Sequence, residues 1–206
     1  MFATQKLSHI HRFEPGGATT APLLLLHGTG GNETDLLPLG QAIGPGRALL
    51  SPRGKVLENG MPRFFRRLAE GVFDEDDVNK RAHELADFIA EARDAYGIAA
   101  PVAVGFSNGA NIAAALLLLR PEALAGAILL RAMVPLAKPP EADLSGKAVV
   151  IVSGASDPII PIENARTLAD MLRAAKATVR HESLPTGHGL TQGDLVIATK
   201  WLNRKD

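Results

Sequence analysis

Five short stretches of this chain are apolar at every position: Leu23–Leu26, Ala48–Leu50, Val102–Val104, Ala127–Leu130 and Ala148–Val152. A strand with one wet face alternates apolar and polar residues, so a strand that is apolar throughout must be covered on both faces. The segments between these runs have another rhythm. Over Asp74–Tyr96 the residues Val78, Ala82, Leu85, Ile89 and Ala92 recur at steps of four and three, drawing one stripe along a helix. Asp74, Glu75, Asp76 and Asp77 crowd its start, where the helix dipole favours negative charge, and Gly97 can end it. Pro161–Ala175 repeats the pattern through Ala165, Leu168, Leu172 and Ala175, with Pro161 expected in the first turn. Asn108–Arg120 is nearly all small or apolar, and a last helix is expected over Gly189–Asn203. Buried strands alternating with crossover helices predict an α/β fold, a mainly parallel sheet with helices on both faces. Gln5–Phe13 reads as an edge strand, and Gly54–Phe73 as an excursion beside the sheet.

Length and composition narrow what such a sheet can do. At 206 residues the expectation is one domain spanning 1–206, with no room for a separate cap. Twenty-two basic residues against 22 acidic ones argue against a nucleic-acid binder, which needs excess positive charge for phosphates. No apolar run approaches the roughly 20 residues that span a bilayer, so no stable membrane insertion is expected. Met1–Pro15 lacks the apolar core of a signal peptide, which points to a cytoplasmic location. With no cysteine, thiol catalysis and thiolate metal sites are excluded.

The chemistry is carried by Gly105-Phe106-Ser107-Asn108-Gly109, set between the strand Val102–Val104 and the small-residue helix. By chance alone G-x-S-x-G occurs in about one chain in fifteen of this length, so the pattern gains weight only from its strand–turn–helix setting. There a sharp turn lifts the serine hydroxyl above the sheet, and the crowded backbones require glycine on either side.

A serine hydroxyl attacks only when a base takes its proton and an acid holds that base. On nucleophile-elbow folds these partners follow in the order serine, acid, histidine. Asp157 stands just past the run Ala148–Val152, in Ser153-Gly154-Ala155-Ser156-Asp157-Pro158, and His188 follows between Gly187 and Gly189. The other acid position, after Ala127–Leu130, holds Arg131, which favours Asp157. His9, His11, His83 and His181 are expected to be structural or solvated, and His27 to brace the loop Gly28-Thr29-Gly30-Gly31. That loop and the helix start should supply the oxyanion donors, the backbone N–H groups of Thr29 and Asn108. It lacks the lysine and spacing of a phosphate-binding loop.

Taken with Ser51-Pro52-Arg53-Gly54, these motifs resemble the phospholipase/carboxylesterase family of α/β-hydrolases, which includes acyl-protein thioesterases. Within it, Arg63–Asp74 and Asn108-Gly109-Ala110-Asn111 are most similar to the bacterial MhqD-like hydrolases. The likeness covers the chain from Pro22 onward. It implies an α/β-hydrolase fold, a triad of Ser107, Asp157 and His188, oxyanion donors at Thr29 and Asn108, and no cofactor or metal. Two departures bear on substrate choice. Asn108 stands where the thioesterase branch usually has glutamine, and Arg63-Phe64-Phe65-Arg66 replaces its tryptophan-bearing loop.

The reading is a serine carboxylesterase acting on a small-molecule ester through an acyl-enzyme. Two alternatives stay open: a thioesterase or lysophospholipase for longer acyl chains, and a ligand-binding protein on a hydrolase scaffold. Phe64, Phe65, Met133, Ile159 and Leu190 lie beside the motifs and are expected to wall the substrate pocket. Arg53 is a candidate for a substrate carboxylate, with an ion pair to a neighbouring acid as the competing reading. The apolar surface expected on so compact a chain leaves room for a homodimer.

Overall fold

Each aliphatic run becomes a strand because the sheet divides its side chains between two cores. The computed structural model describes residues 7–17 and 20–204. Leu24, Leu26, Ala103, Leu129 and Ile151 enter one core, while Leu23, Leu25, Val104, Ile128 and Val150 enter the other. That period of two explains why the runs at the heart of these strands are apolar at every position.

The chain runs β1 (His11–Glu14), β2 (Leu23–Leu26), α1 (Leu37–Ile43), β3 (Leu49–Pro52), β4 (Val56–Glu58), β5 (Met61–Arg63), β6 (Arg67–Ala69) and β7 (Val72–Phe73). It continues as α2 (Glu75–Tyr96), β8 (Val102–Phe106), α3 (Asn108–Leu119), β9 (Gly126–Leu130), β10 (Ala148–Gly154), α4 (Ile162–Ala174), β11 (Thr178–Leu184) and α5 (Gln192–Leu202). Seven strands form the central sheet in the order β1-β3-β2-β8-β9-β10-β11. All pair in parallel except β1, which runs antiparallel along β3 with Phe13 opposite Leu50. Residues of α2, α3 and α4 fill one core, and those of α1 and α5 help fill the other. The expected mainly parallel sheet with helices on both faces is what forms.

Details differ from expectation for local reasons. The edge strand begins at His11, and Gln5 and Lys6 lie outside the described residues. Pro161 is the N-cap of α4, one position before the expected first turn. The last helix starts at Gln192 because Thr191 and Asp194 close a capping box there. Two elements were not foreseen. One is α1, seven residues that bury only Gly40 and Ile43. The other is the form of the excursion, two small antiparallel hairpins, β4–β5 and β6–β7. The first turns on Asn59-Gly60, both with positive φ (51° and 80°), as a two-residue hairpin turn demands. Arg66 pairs with Asp74, and its N–H donates to Asp77 Oδ2 (2.7 Å), which ties the excursion to the start of α2. Among the described residues no helix is long and apolar enough to cross a membrane.

His9 packs against Phe88, ring centroids 4.7 Å apart. Burial first, then the nearby charge of Lys55, pulls its pKa from 6.5 down to about 3. Above 6.5 the ring is neutral whether folded or unfolded. Below it the unfolded chain takes up a proton that the folded chain refuses, so stability is lost progressively from 6.5 down towards 3. The urea midpoint should therefore fall as the pH drops from about 6.5 to about 4.5, and His9→Phe should flatten the fall. An equally steep fall in that variant would place the loss elsewhere.

Candidate active site

Strand β8 delivers Ser107 to the C-terminal edge of the sheet, where α3 begins at the next residue. Ser107 adopts φ 52° and ψ −115°, a conformation that costs a non-glycine residue about 1–3 kcal/mol unless its surroundings hold it. They do so through its N–H, which donates to Leu130 O (2.8 Å), and its carbonyl, which accepts from Asn111 N–H (3.0 Å). The flanking glycines are dictated by space. A Cβ on Gly109 would lie 1.9 Å from Leu26 O, and one on Gly105 would lie 2.5 Å from Gly109 O.

Three side chains from separate strand ends meet here. His188 Nε2 lies 3.0 Å from Ser107 Oγ, and its Nδ1 lies 2.8 Å from Asp157 Oδ2. Asp157, its side chain 1% exposed, also accepts at Oδ1 from the N–H groups of Ile159 (2.8 Å) and Ile160 (3.1 Å). Its carboxylate is thus fixed from one side by backbone donors and aimed at the imidazole from the other. A second serine–histidine contact, Ser153 Oγ to His181 Nε2 at 2.9 Å, bridges β10 and β11. Ser153 is buried there, and neither residue lines the cleft at Ser107.

The loop after β2 is zipped to the excursion. Gly30 N–H donates to Pro62 O (2.9 Å), and Arg63 Nη1 donates to Thr29 Oγ1 (2.6 Å). His27 braces both, with Nδ1 bonded to Gly28 O (2.7 Å) and Nε2 accepting from Gly54 N–H (3.0 Å). Its burial lowers its pKa, which keeps the ring neutral and able to accept. Asn108 Oδ1 accepts from Phe64 N–H (2.7 Å), joining the start of α3 to the same wall. The backbone N–H groups of Thr29 and Asn108 have no protein acceptor among the described residues.

Behind His188 stands an arginine that sequence inspection noted only as a missing acid. Arg131, at φ 57°, is fully buried and grips Asp194 through Nη1 (2.7 Å) and Nη2 (3.0 Å). It also donates to Gly187 O (3.1 Å) and Gly189 O (3.0 Å), the carbonyls on either side of His188. This clamp fixes the loop from which the imidazole projects.

A cleft of about 350 Å³ opens over Ser107, and Met133 and Ile159 line it as expected. The remaining pocket candidates do not. Phe64 and Phe65 are 3% and 0% exposed and belong to the core beneath, since the chain after β5 turns them inward. Leu190 packs on the second core with α5. Arg53 is held by Glu33 through Nε (2.5 Å) and Nη2 (2.8 Å), outside the cleft. Arg63, Arg67, Phe73 and Phe106 take their place on the lining. The Phe106 ring lies 5.5 Å from that of His188.

The chain as a whole is similar to known proteins. A sequence model described as Phospholipase/Carboxylesterase matches residues 13–205. The chain is 48% identical over 193 residues to MhqD of Bacillus subtilis (strain 168), a protein named as a hydrolase, covering 93% of this chain and 96% of that one. Among solved structures it is similar to the Bacillus cereus carboxylesterase, with 46% identity, a TM-score of 0.92, and coverage of 97% and 95%. A carboxylesterase from Mesorhizobium loti matches at 33% identity and a TM-score of 0.85, with 88% of each chain covered.

Proposed function

The chain belongs to the phospholipase/carboxylesterase family, and from that premise we propose that it hydrolyses carboxylic esters by acyl transfer through Ser107, His188 and Asp157. The observation that carries the reading is the unbroken hydrogen-bonded line from Asp157 Oδ2 through the imidazole to Ser107 Oγ, at 2.8 and 3.0 Å. His188 Nε2 takes the hydroxyl proton as Ser107 Oγ bonds to the ester carbonyl carbon. The carbonyl oxygen becomes an oxyanion, which accepts from the amides of Thr29 and Asn108, worth about 3–4 kcal/mol per donor. His188 then gives its proton to the departing alkoxide as the ester C–O bond breaks, leaving the acyl group on Ser107. Water repeats the sequence: it loses a proton to His188, attacks the acyl carbon, and the proton returns to Ser107 as the acid leaves. Asp157 holds the imidazole in the tautomer that presents Nε2 to the serine.

A fluorophosphonate should form one covalent adduct per chain, and peptide mapping should place it on Ser107. Labelling of Ser153 in its place, or no adduct on the folded protein, would overturn the assignment.

A further inference from the structure

Two arginines stand on the cleft wall without a part in the acyl transfer itself. Arg63 is 3% exposed, and its Nε donates to Phe65 O (3.2 Å) and lies 3.1 Å from Glu58 Oε2. Its Nη1 is used on Thr29. Its Nη2 has no protein acceptor among the described residues and is not one of the enclosed, unpaired atoms, and Arg63 lines the cleft. Arg67, also on the lining, is joined to Glu58 Oε1 through Nε (2.8 Å), which leaves both of its Nη groups without a protein acceptor.

Glu58 therefore serves two cations with one charge. Glu70 lines the same cleft, but it is exposed, and water screens its charge more effectively than that of the buried Arg63. Arg67 keeps its whole Nη1–Nη2 edge idle and the buried Arg63 its Nη2, and a planar carboxylate can accept two parallel, charge-assisted N–H bonds from such an edge while a neighbouring guanidinium adds its charge. Phe73, Phe106, Met133 and Ile159 give the wall its apolar part, and the volume is at the low end for small-molecule sites.

We propose that Arg63 and Arg67 form a carboxylate-binding subsite, and that the substrates of this cleft are short esters carrying a carboxylate on the acyl or the alcohol part. The proposal rests on Ser107 being the nucleophile. The carboxylate takes the idle Nη edges while the ester carbonyl lies at Ser107, beside the Thr29 loop that Arg63 also holds.

The test measures kcat/KM for two matched pairs, monoethyl succinate against ethyl butyrate and 3-acetoxybenzoate against phenyl acetate, each corrected for its uncatalysed rate. The charged member of at least one pair should be preferred by about tenfold or more, and the responding pair tells which part of the ester carries the anion. Arg67→Gln should cut that ratio by about tenfold, Glu70→Gln should raise it, and added salt should lower it. Because Arg67 is partly exposed, its variant keeps the test decisive even where Arg63→Gln fails to fold. A ratio near one for both pairs in the wild type, or a ratio that Arg67→Gln leaves unmoved, overturns the subsite. Neutral esters separate the two levels: turnover lost in Ser107→Ala keeps the acyl-transfer reading whatever the ratio, and turnover retained there removes that reading.

Discussion

Ser107→Ala will lower kcat for 4-nitrophenyl acetate by more than about a thousandfold while leaving the protein folded. The substitution removes one oxygen and keeps Cβ, so the φ 52° turn, the bond from its N–H to Leu130 O and the glycine contacts around it are unchanged. What disappears is the atom 3.0 Å from His188 Nε2. The amides of Thr29 and Asn108 and the cleft survive, so hydrolysis above the uncatalysed rate should remain, and KM should move far less than kcat. The measurement is steady-state kinetics on the purified variant, with circular dichroism to confirm the fold. Activity within about tenfold of wild type would show that another group opens the ester.

Asp194→Ala will destabilise the fold by about 3–5 kcal/mol, read from urea denaturation at neutral pH. Arg131 and Asp194 are both 0% exposed, so truncating the acid leaves a guanidinium charge inside the protein without its counter-charge. The same carboxylate accepts from Thr191 N–H (2.7 Å) and Thr191 Oγ1 (2.9 Å), so the start of α5 loosens as well. Asp87→Ala is the control. It breaks an exposed pair with Arg120 and should cost no more than about 1 kcal/mol. Equal effects of the two substitutions would show that burial does not set the worth of the Arg131 pair. In whatever fraction of Asp194→Ala remains folded, kcat should also drop, because Arg131 holds the carbonyls on both sides of His188.

How far the sequence could be read depends on where each signal is stored. The strands were legible because two cores must be filled from one chain, which makes residues such as Leu23 and Leu24 apolar together. Ser107, Asp157 and His188 stand out as candidates because strand ends and glycines mark where a parallel sheet exposes side chains, and the structure brings all three within hydrogen-bond reach. Helix α1 was not, because seven residues around Gly40 make neither a stripe nor a cap. The β4–β5 hairpin carries its own local signal in Asn59-Gly60, a pair suited to a two-residue turn. Of the pocket, Met133 and Ile159 are legible and the rest is not, because nearness in sequence does not set direction: Arg63 reaches the cleft while Phe64 and Phe65 beside it enter the core. The Arg131–Asp194 pair spans 63 positions, and no local pattern announces a contact of that range.

The zipper between the Thr29 loop and the excursion has a bearing on how such a protein can diversify. On the proposed reading, bond making and breaking falls to strand ends that the whole sheet keeps in place, whereas a large part of the wall over them comes from one continuous passage of chain between β3 and α2. That passage is anchored by Gly54 to His27, by Pro62 and Arg63 to the Thr29 loop, by Phe64 to Asn108 and by Arg66 to Asp74 and Asp77, so the room for change lies at its hairpin tips, Asn59-Gly60 and Glu70-Gly71. A change at those tips reshapes the mouth of the cleft and leaves the strand ends beneath it as they are.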